Sequence, residues 1–208
     1  SFLLMVFLSF IFNESKEHNW IPFIEGNRIV KSLSKIHSIS LILASIAGLY
    51  LTHLTNSTTI AIAYFSGIIL FAILKSSGDA FTTEGAKSGL MSFIYLEVLD
   101  ASFSFDGVIG AFALSSDIFV IMVGLGVGAM FVRSITLHLV EAKTLTQFKF
   151  LEHGAHYAIG ALALIMFIKL FTEIDELIVG GIGIAFIVIA IAHSKLLQDL
   201  ENKRYGGF

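Results

Sequence analysis

Residues 118–132 read IFVIMVGLGVGAMFV, fifteen consecutive residues without a charge. A transmembrane helix needs about 20 mostly apolar residues, and the segment 118–140 has this length with Arg133 as its one strongly charged residue. Further segments that meet the same standard lie at 36–52, 58–74, 89–114, 154–171 and 176–193. The sequence therefore predicts an all-α, polytopic transmembrane helix bundle with about six full spans.

The composition points to the same class of protein. Hydrophobic residues make up 56% of the 208 residues and charged residues 14%, against about 45–50% and about 25% in soluble domains. Cys is absent, which excludes disulfides, thiolate metal sites and cysteine nucleophiles. A net charge of -3 provides no basic face, so no nucleic-acid partner is expected.

The beginning of the chain reads as part of a membrane helix. Residues 1–12 are apolar and lack the charged start of a secretory signal. We interpret them as the tail of a partial N-terminal span. The expected organisation is a single transmembrane domain over residues 1–208, forming the C-terminal part of a longer protein.

The distribution of basic residues predicts the orientation of the bundle. When alternate linkers are placed on opposite sides, 11 of the 13 Lys and Arg residues fall on one side. The linkers of the other side contain only acidic charges, at Asp117, Glu173 and Asp175. Because basic loops stay in the cytoplasm, the first linker (13–35) and the C-terminus are predicted to be cytoplasmic.

The segment 95–110, YLEVLDASFSFDGVIG, carries three carboxylates and two hydroxyls inside an apolar span. At about 100° per residue, Glu97, Asp100 and Ser104 share one helix face. Asp106 lies about 180° from Glu97 and joins them only where the helix unwinds, which Gly107 favours. Charges at membrane depth are expensive, so such residues indicate function by default.

Carboxylate and hydroxyl oxygens are hard ligands that suit Mg²⁺, Ca²⁺ or Mn²⁺. Glu97, Asp100, Asp106 and Ser104 are therefore the candidate metal ligands. The alternative is structural, with the acids paired to Arg133 or to a histidine so that they hold the bundle together.

Two further polar groups lie near the ends of predicted spans. Glu152, His153 and His156 have the spacing to converge on one helix face; they form either a helix start with interfacial histidines or a pH-sensitive gate or ion vestibule. Arg133 and His138 lie on the preceding span. Arg133 needs an acidic partner at that depth, and we expect it to balance the charge of the acidic site.

Other chemistries have little support in the sequence. Ser102 and Ser104 lack a nearby base, and no glycine-rich phosphate loop with a lysine is present. We therefore expect neither an enzyme nor an ATP-driven pump, and no organic cofactor. Small residues at Gly124 and Gly128 fit tight helix packing, with a homo-oligomer contact as the alternative.

The acidic segment also resembles a known family. Residues 97–107 resemble the second signature helix of TerC-related integral membrane proteins, and the similarity continues through 109–114, 117–119 and 128–134. The motif LEHGAHY at 151–157 looks like that of an uncharacterised TerC-like branch. The resemblance implies a LysE-like transporter bundle in the bacterial cytoplasmic (inner) membrane. It also implies an association with tellurium resistance and with Mn²⁺ export.

In such proteins the acidic signature helices form the ion site, a role that the resemblance carries onto Glu97, Asp100 and Asp106. Gly107 follows this branch where many relatives have Ser. The family's first signature helix has no match in residues 1–94, and we expect it to precede Ser1.

The resulting hypothesis is a secondary transporter that exports a divalent cation, with Mn²⁺ favoured and Ca²⁺ or Mg²⁺ as alternatives. Its expected partners are the lipid bilayer and the cation. One rival is an exporter of another small solute, which would bind to Arg133. The other is a non-transporting TerC-like membrane scaffold in the metal and tellurite stress response.

Overall fold

The structure is a computed structural model that describes residues 1–13, 16, 20–36, 38–83, 93, 97, 108, 111–112, 115–141 and 148–205. Within these residues every regular element is helical. The helices are α1 (Phe2–Ile11), α2 (Pro22–Glu25), α3 (Arg28–Ser34), α4 (Ile39–Thr55), α5 (Thr58–Thr83), α6 (Ile118–Glu141), α7 (Leu151–Ile168) and α8 (Glu176–Tyr205).

Among the described residues, four helices are long and apolar enough to cross a membrane, which makes this a multi-pass membrane protein. They are Thr58–Ser76, Ile118–His138, Leu151–Ile168 and Leu177–Leu200, and they confirm four of the predicted spans. The predicted span 36–52 appears as α4, an apolar helix of 17 residues. The predicted span 89–114 lies almost entirely outside the described residues, so the count of six spans stays a prediction.

Local hydrogen bonds explain where these helices begin and end. The α4 helix ends at Asn56, which adopts a left-handed conformation (φ 47°) and donates its N–H to the Thr52 carbonyl. Asp117 accepts the N–H of Phe119 at 2.9 Å, and Asp175 accepts that of Leu177 at 2.8 Å. Both exposed acids thus cap helix N-termini, in agreement with their predicted places in polar turns.

The chain forms two compact units, Leu74–Gln147 and the remainder, Ser1–Ile73 with Phe148–Phe208. In the larger unit α1 packs against both α7 and α4, and α7 packs against α8. The smaller unit contains α6, whose apolar side chains are largely exposed, as Met130 is at 75%. Exposed apolar surface of this kind is what a bilayer covers.

The close helix contacts occur at glycines other than those that the sequence singled out. Around Gly124 and Gly128, the two predicted contact glycines, and also around Gly183 on α8, a methyl group added in place of the glycine hydrogen would meet nothing within 4 Å among the described residues. At Gly154 it would lie 2.5 Å from the Cβ of Ala190 and 3.0 Å from the carbonyl oxygen of Phe186. The tight contact therefore joins α7 to α8, because Gly154 lets the two backbones approach.

This contact predicts opposite effects for the same substitution at two glycines. Gly154→Ala is expected to destabilise the protein, because overpacking costs about 1–3 kcal/mol and outweighs the gain in helix propensity of at most about 1 kcal/mol. Gly183→Ala is the matched control and is expected to be neutral or stabilising. Thermal unfolding in detergent measures both, and equal melting temperatures would contradict the packing of α7 on α8.

Candidate functional site

A buried carboxylate lies in the linker between α1 and α4. Glu25 is the last residue of α2, a single helical turn that begins at Pro22, where the missing proline N–H costs no hydrogen bond. The N–H of Glu25 donates to the carbonyl of Ile21 at 2.9 Å. The residue is only 4% exposed, so the turn directs a charged group into the protein interior.

Four polar groups surround this carboxylate. The Tyr157 hydroxyl donates to Oε1 at 3.0 Å, and the backbone N–H of Trp20 donates to Oε2 at 3.4 Å. On the same oxygen, Nε2 of His153 lies at 3.4 Å and Nζ of Lys16 at 3.7 Å. Glu25 therefore ties the linker to α7, and its charge is matched by a nearby cation, as buried charges require.

Lys16 is held in place by more than the ion pair. Its Nζ donates to the carbonyl of Ile11 at 3.0 Å and lies 4.7 Å from the centroid of the Phe10 ring. Burial lowers the pKa of Lys16, and the attraction of Glu25 opposes part of that shift. The ammonium thus covers the C-terminal end of α1, where a cation is favourable.

Aromatic rings pack around the polar group. Phe10 stacks on His156 with the ring centroids 3.9 Å apart and contacts His153 edge-on at 5.1 Å. Trp20 packs edge-on against Tyr157 at 5.5 Å. These rings form an apolar border on the α7 side of the ion pair.

Helix α8 also contacts the linker and the start of α7 through hydrogen bonds. The indole Nε1–H of Trp20 donates to Nδ1 of His193 at 2.9 Å. Ser194 accepts the N–H of Phe150 at 3.0 Å and donates to the carbonyl of Ala190 at 2.8 Å. The linker, the start of α7 and the middle of α8 are therefore joined by one polar network, which we call the Glu25 network.

Trp20→Phe tests one bond of this network, because it keeps an aromatic ring, although a smaller one, and removes the N–H that His193 accepts. We expect a loss of about 0.5–1.5 kcal/mol in unfolding free energy, measured by thermal unfolding followed by circular dichroism. Tyr50→Phe is the control, since Tyr50 is 64% exposed and its hydroxyl is accessible. Equal stability of the two variants would argue against the Trp20–His193 bond.

The chemistry of the Glu25 network is that of an ion pair rather than of a metal centre. Glu25, His153 and His193 are its side chains of metal-ligating type, and the Lys16 ammonium beside Glu25 repels a cation. Among the residues that the structure describes, no group of three His, Asp or Glu side chains can hold a metal ion.

The residues singled out from the sequence are placed as follows. His153 is buried beside Glu25, whereas the side chain of Glu152 is exposed. His156 is half-buried, with its Nδ1 2.8 Å from the carbonyl oxygen of Glu152. The structure thus joins His153 to the Glu25 network and leaves the carboxylate of Glu152 exposed.

The other predicted site residues belong to the smaller unit. Arg133 and His138 on α6 are exposed, and so is Glu97. Asp100, Ser104 and Asp106 lie outside the described residues. The proposed acidic ion site therefore stays a prediction.

The Glu25 network was not anticipated from the sequence. A signal for it existed, because the only Trp and the only Pro of the chain stand in the apolar run Trp20-Ile21-Pro22-Phe23-Ile24 of an otherwise polar linker. Such a run indicates a segment that packs. The partners of Glu25 on α7, however, stand more than 120 residues away, as the separation of 132 positions from Tyr157 shows.

The long apolar helices of the described residues define an all-α, multi-pass membrane protein. The chain belongs to the DUF475 family, described as proteins of unknown function, whose family model matches residues 1–202. No curated protein and no solved structure matches the chain.

Proposed function

We propose that this protein is a secondary transporter that exports a divalent metal cation from the cytoplasm, with Mn²⁺ as the favoured ion. The observation that carries the proposal is the presence of three carboxylates within the ten residues 97–106 of an apolar segment. A multi-pass membrane protein keeps such groups only where they serve a purpose, because each charge costs free energy in the bilayer.

Each residue of the proposed site has a role. Glu97 and Asp100 supply carboxylate oxygens to the ion, and Ser104 supplies a neutral oxygen on the same helix face. Asp106, on an unwound turn before Gly107, is a further ligand or the acid that couples transport to protons. Such oxygen sets suit Mn²⁺, Mg²⁺ and Ca²⁺, and unwound helices form ion sites in many transporters.

The resemblance of residues 97–107 to TerC-related proteins supports the same proposal. It favours a LysE-like bundle in a bacterial cytoplasmic membrane, with the C-terminus in the cytoplasm. Arg133, inside the span Ile118–His138, balances the charge of the empty acidic site. His138, Glu152, His153 and His156 are candidates for a gate at the cytoplasmic end.

Transport by inside-out vesicles tests the proposal. We expect vesicles that contain the protein to take up Mn²⁺, followed with an internal metal-sensitive dye, faster than vesicles without it. Mg²⁺ and Ca²⁺ assayed in parallel define the ion preference. If vesicles with and without the protein behave alike for all three ions, metal export is contradicted, and the scaffold and other-solute hypotheses take precedence.

A further inference from the structure

A cavity of about 320 Å³ opens beside the Glu25 network. This volume falls at the lower end of the range of about 300–1,000 Å³ for small-molecule sites. Its walls include the apolar residues Ile11 and Val30, together with four charged residues: Lys16, Glu25, Lys31 and Lys35. The cavity thus combines an apolar border with a mainly basic lining.

The basic lining comes largely from one short helix. Lys31 lies in α3 and Lys35 directly follows its last residue, Ser34. Residues four positions apart share a helix face, which places both ammonium groups on the side of α3 that lines the cavity. Both residues are exposed, so their ammonium groups are accessible to a ligand.

The charge of the wall favours an anion. Among the described wall residues, Glu25 is the acidic one, against three lysines. Glu25 is already matched by Lys16 at 3.7 Å and accepts hydrogen bonds from Tyr157 and Trp20. Lys31 and Lys35 therefore add positive charge that Glu25 does not offset.

The position of the cavity indicates the chemistry of that anion. Ile11 is the last residue of the apolar helix α1. Glu25 contacts His153 and Tyr157, which lie in the first two turns of the span Leu151–Ile168. The cavity therefore lies level with the ends of apolar helices, where the phosphate groups of a bilayer lie.

We propose that this cavity binds a phosphate-bearing anion, with Lys31 and Lys35 as its charged ligands and Ile11 and Val30 as its apolar border. The phosphate belongs to the headgroup of an acidic lipid or to a free phosphate ion. Lysine binds phosphate as a point charge. The site is independent of the proposed cation transport, which uses other residues and the opposite sign of charge.

Two binding assays on the purified protein in uncharged detergent test the proposal and separate the two sources. Inorganic phosphate is titrated calorimetrically, and retention of phosphatidylglycerol against phosphatidylcholine is measured by native mass spectrometry. Binding of phosphatidylglycerol alone identifies a lipid headgroup site, and binding of inorganic phosphate alone identifies a free-anion site. Binding of neither probe overturns the proposal.

Variants assign the binding to the cavity. Lys31→Gln with Lys35→Gln is expected to weaken binding about 25-fold, because each lysine near a charged surface contributes about fivefold. Lys31→Arg with Lys35→Arg keeps the charge and should retain binding. Arg28→Gln is the matched control, because Arg28 is an exposed cation of α3 that does not line the cavity.

Binding is compared only between variants whose melting temperature equals that of the wild type. We expect the lysine variants to meet this condition, because Lys31 and Lys35 are exposed. The proposal is overturned if the double glutamine variant binds as tightly as the wild type. It is also overturned if Arg28→Gln loses as much affinity as the double glutamine variant.

Discussion

Glu25→Ala is expected to lower the unfolding free energy by about 3–5 kcal/mol, the usual cost of removing one partner of a buried ion pair. The substitution leaves the Lys16 ammonium without its carboxylate and the Tyr157 hydroxyl without its acceptor. It also removes the polar contacts of the linker with Tyr157 and His153 on α7. Titration with a denaturing detergent, followed by far-ultraviolet circular dichroism, measures the loss.

Three further variants separate charge from packing. Glu25→Gln keeps an oxygen that accepts the Tyr157 hydrogen bond and should lose less stability than Glu25→Ala. Lys16→Met combined with Glu25→Gln removes both charges and should recover part of the loss, because no lone charge stays buried. Glu152→Ala, at an exposed acid in the first turn of α7, should lose much less, about 0.3–1 kcal/mol from the helix dipole. If Glu25→Ala were as stable as Glu152→Ala, the buried pair would be refuted.

Asp100→Asn is expected to reduce Mn²⁺ uptake by inside-out vesicles at least about tenfold. Asn keeps the size of the side chain and one oxygen, but it lacks the negative charge that attracts the cation. Loss of a residue that merely supports a metal ligand costs about 10–100-fold in affinity, so loss of a charged ligand should cost no less.

The matched control for this variant is Asp117→Asn. Asp117 is an exposed acid that accepts the N–H of Phe119 at the start of α6, and Asn retains that cap. Both variants are compared at the same protein level in the vesicles. Uptake by Asp100→Asn equal to that by Asp117→Asn would remove Asp100 from the ion path, even if the wild-type protein transports Mn²⁺.

Hydropathy was sufficient to predict the four described helices that are long and apolar enough to cross a membrane. The predicted spans 58–74, 118–140 and 176–193 lie within helices of the structure, because an apolar run of that length determines its own state in a bilayer. The predicted span 154–171 is shifted by three residues from the apolar helix of the structure, Leu151–Ile168. Its first turn is fixed by Ser194, which accepts the Phe150 N–H, and a helix-to-helix bond of this kind leaves no trace in local hydropathy.

The glycines also show the difference between what local sequence predicts and what helix packing determines. Gly154 and Gly183 both lie in apolar helices. Local composition does not indicate which of the two permits a close helix contact. Only Gly154 faces a neighbouring backbone, that of Phe186 on α8. Which glycine permits a close approach depends on the partner helix, and a single helix does not contain that information.

The sequence by itself determined that this is an all-α, multi-pass membrane protein and where its long apolar helices lie. Length and hydropathy are properties of contiguous residues, and the bilayer acts on each segment in turn. Only the tertiary structure decided that Glu25, in a linker predicted to be polar, is buried against Lys16, His153 and Tyr157. Burial and pairing are set by groups brought together from distant parts of the chain, 132 positions away for Tyr157.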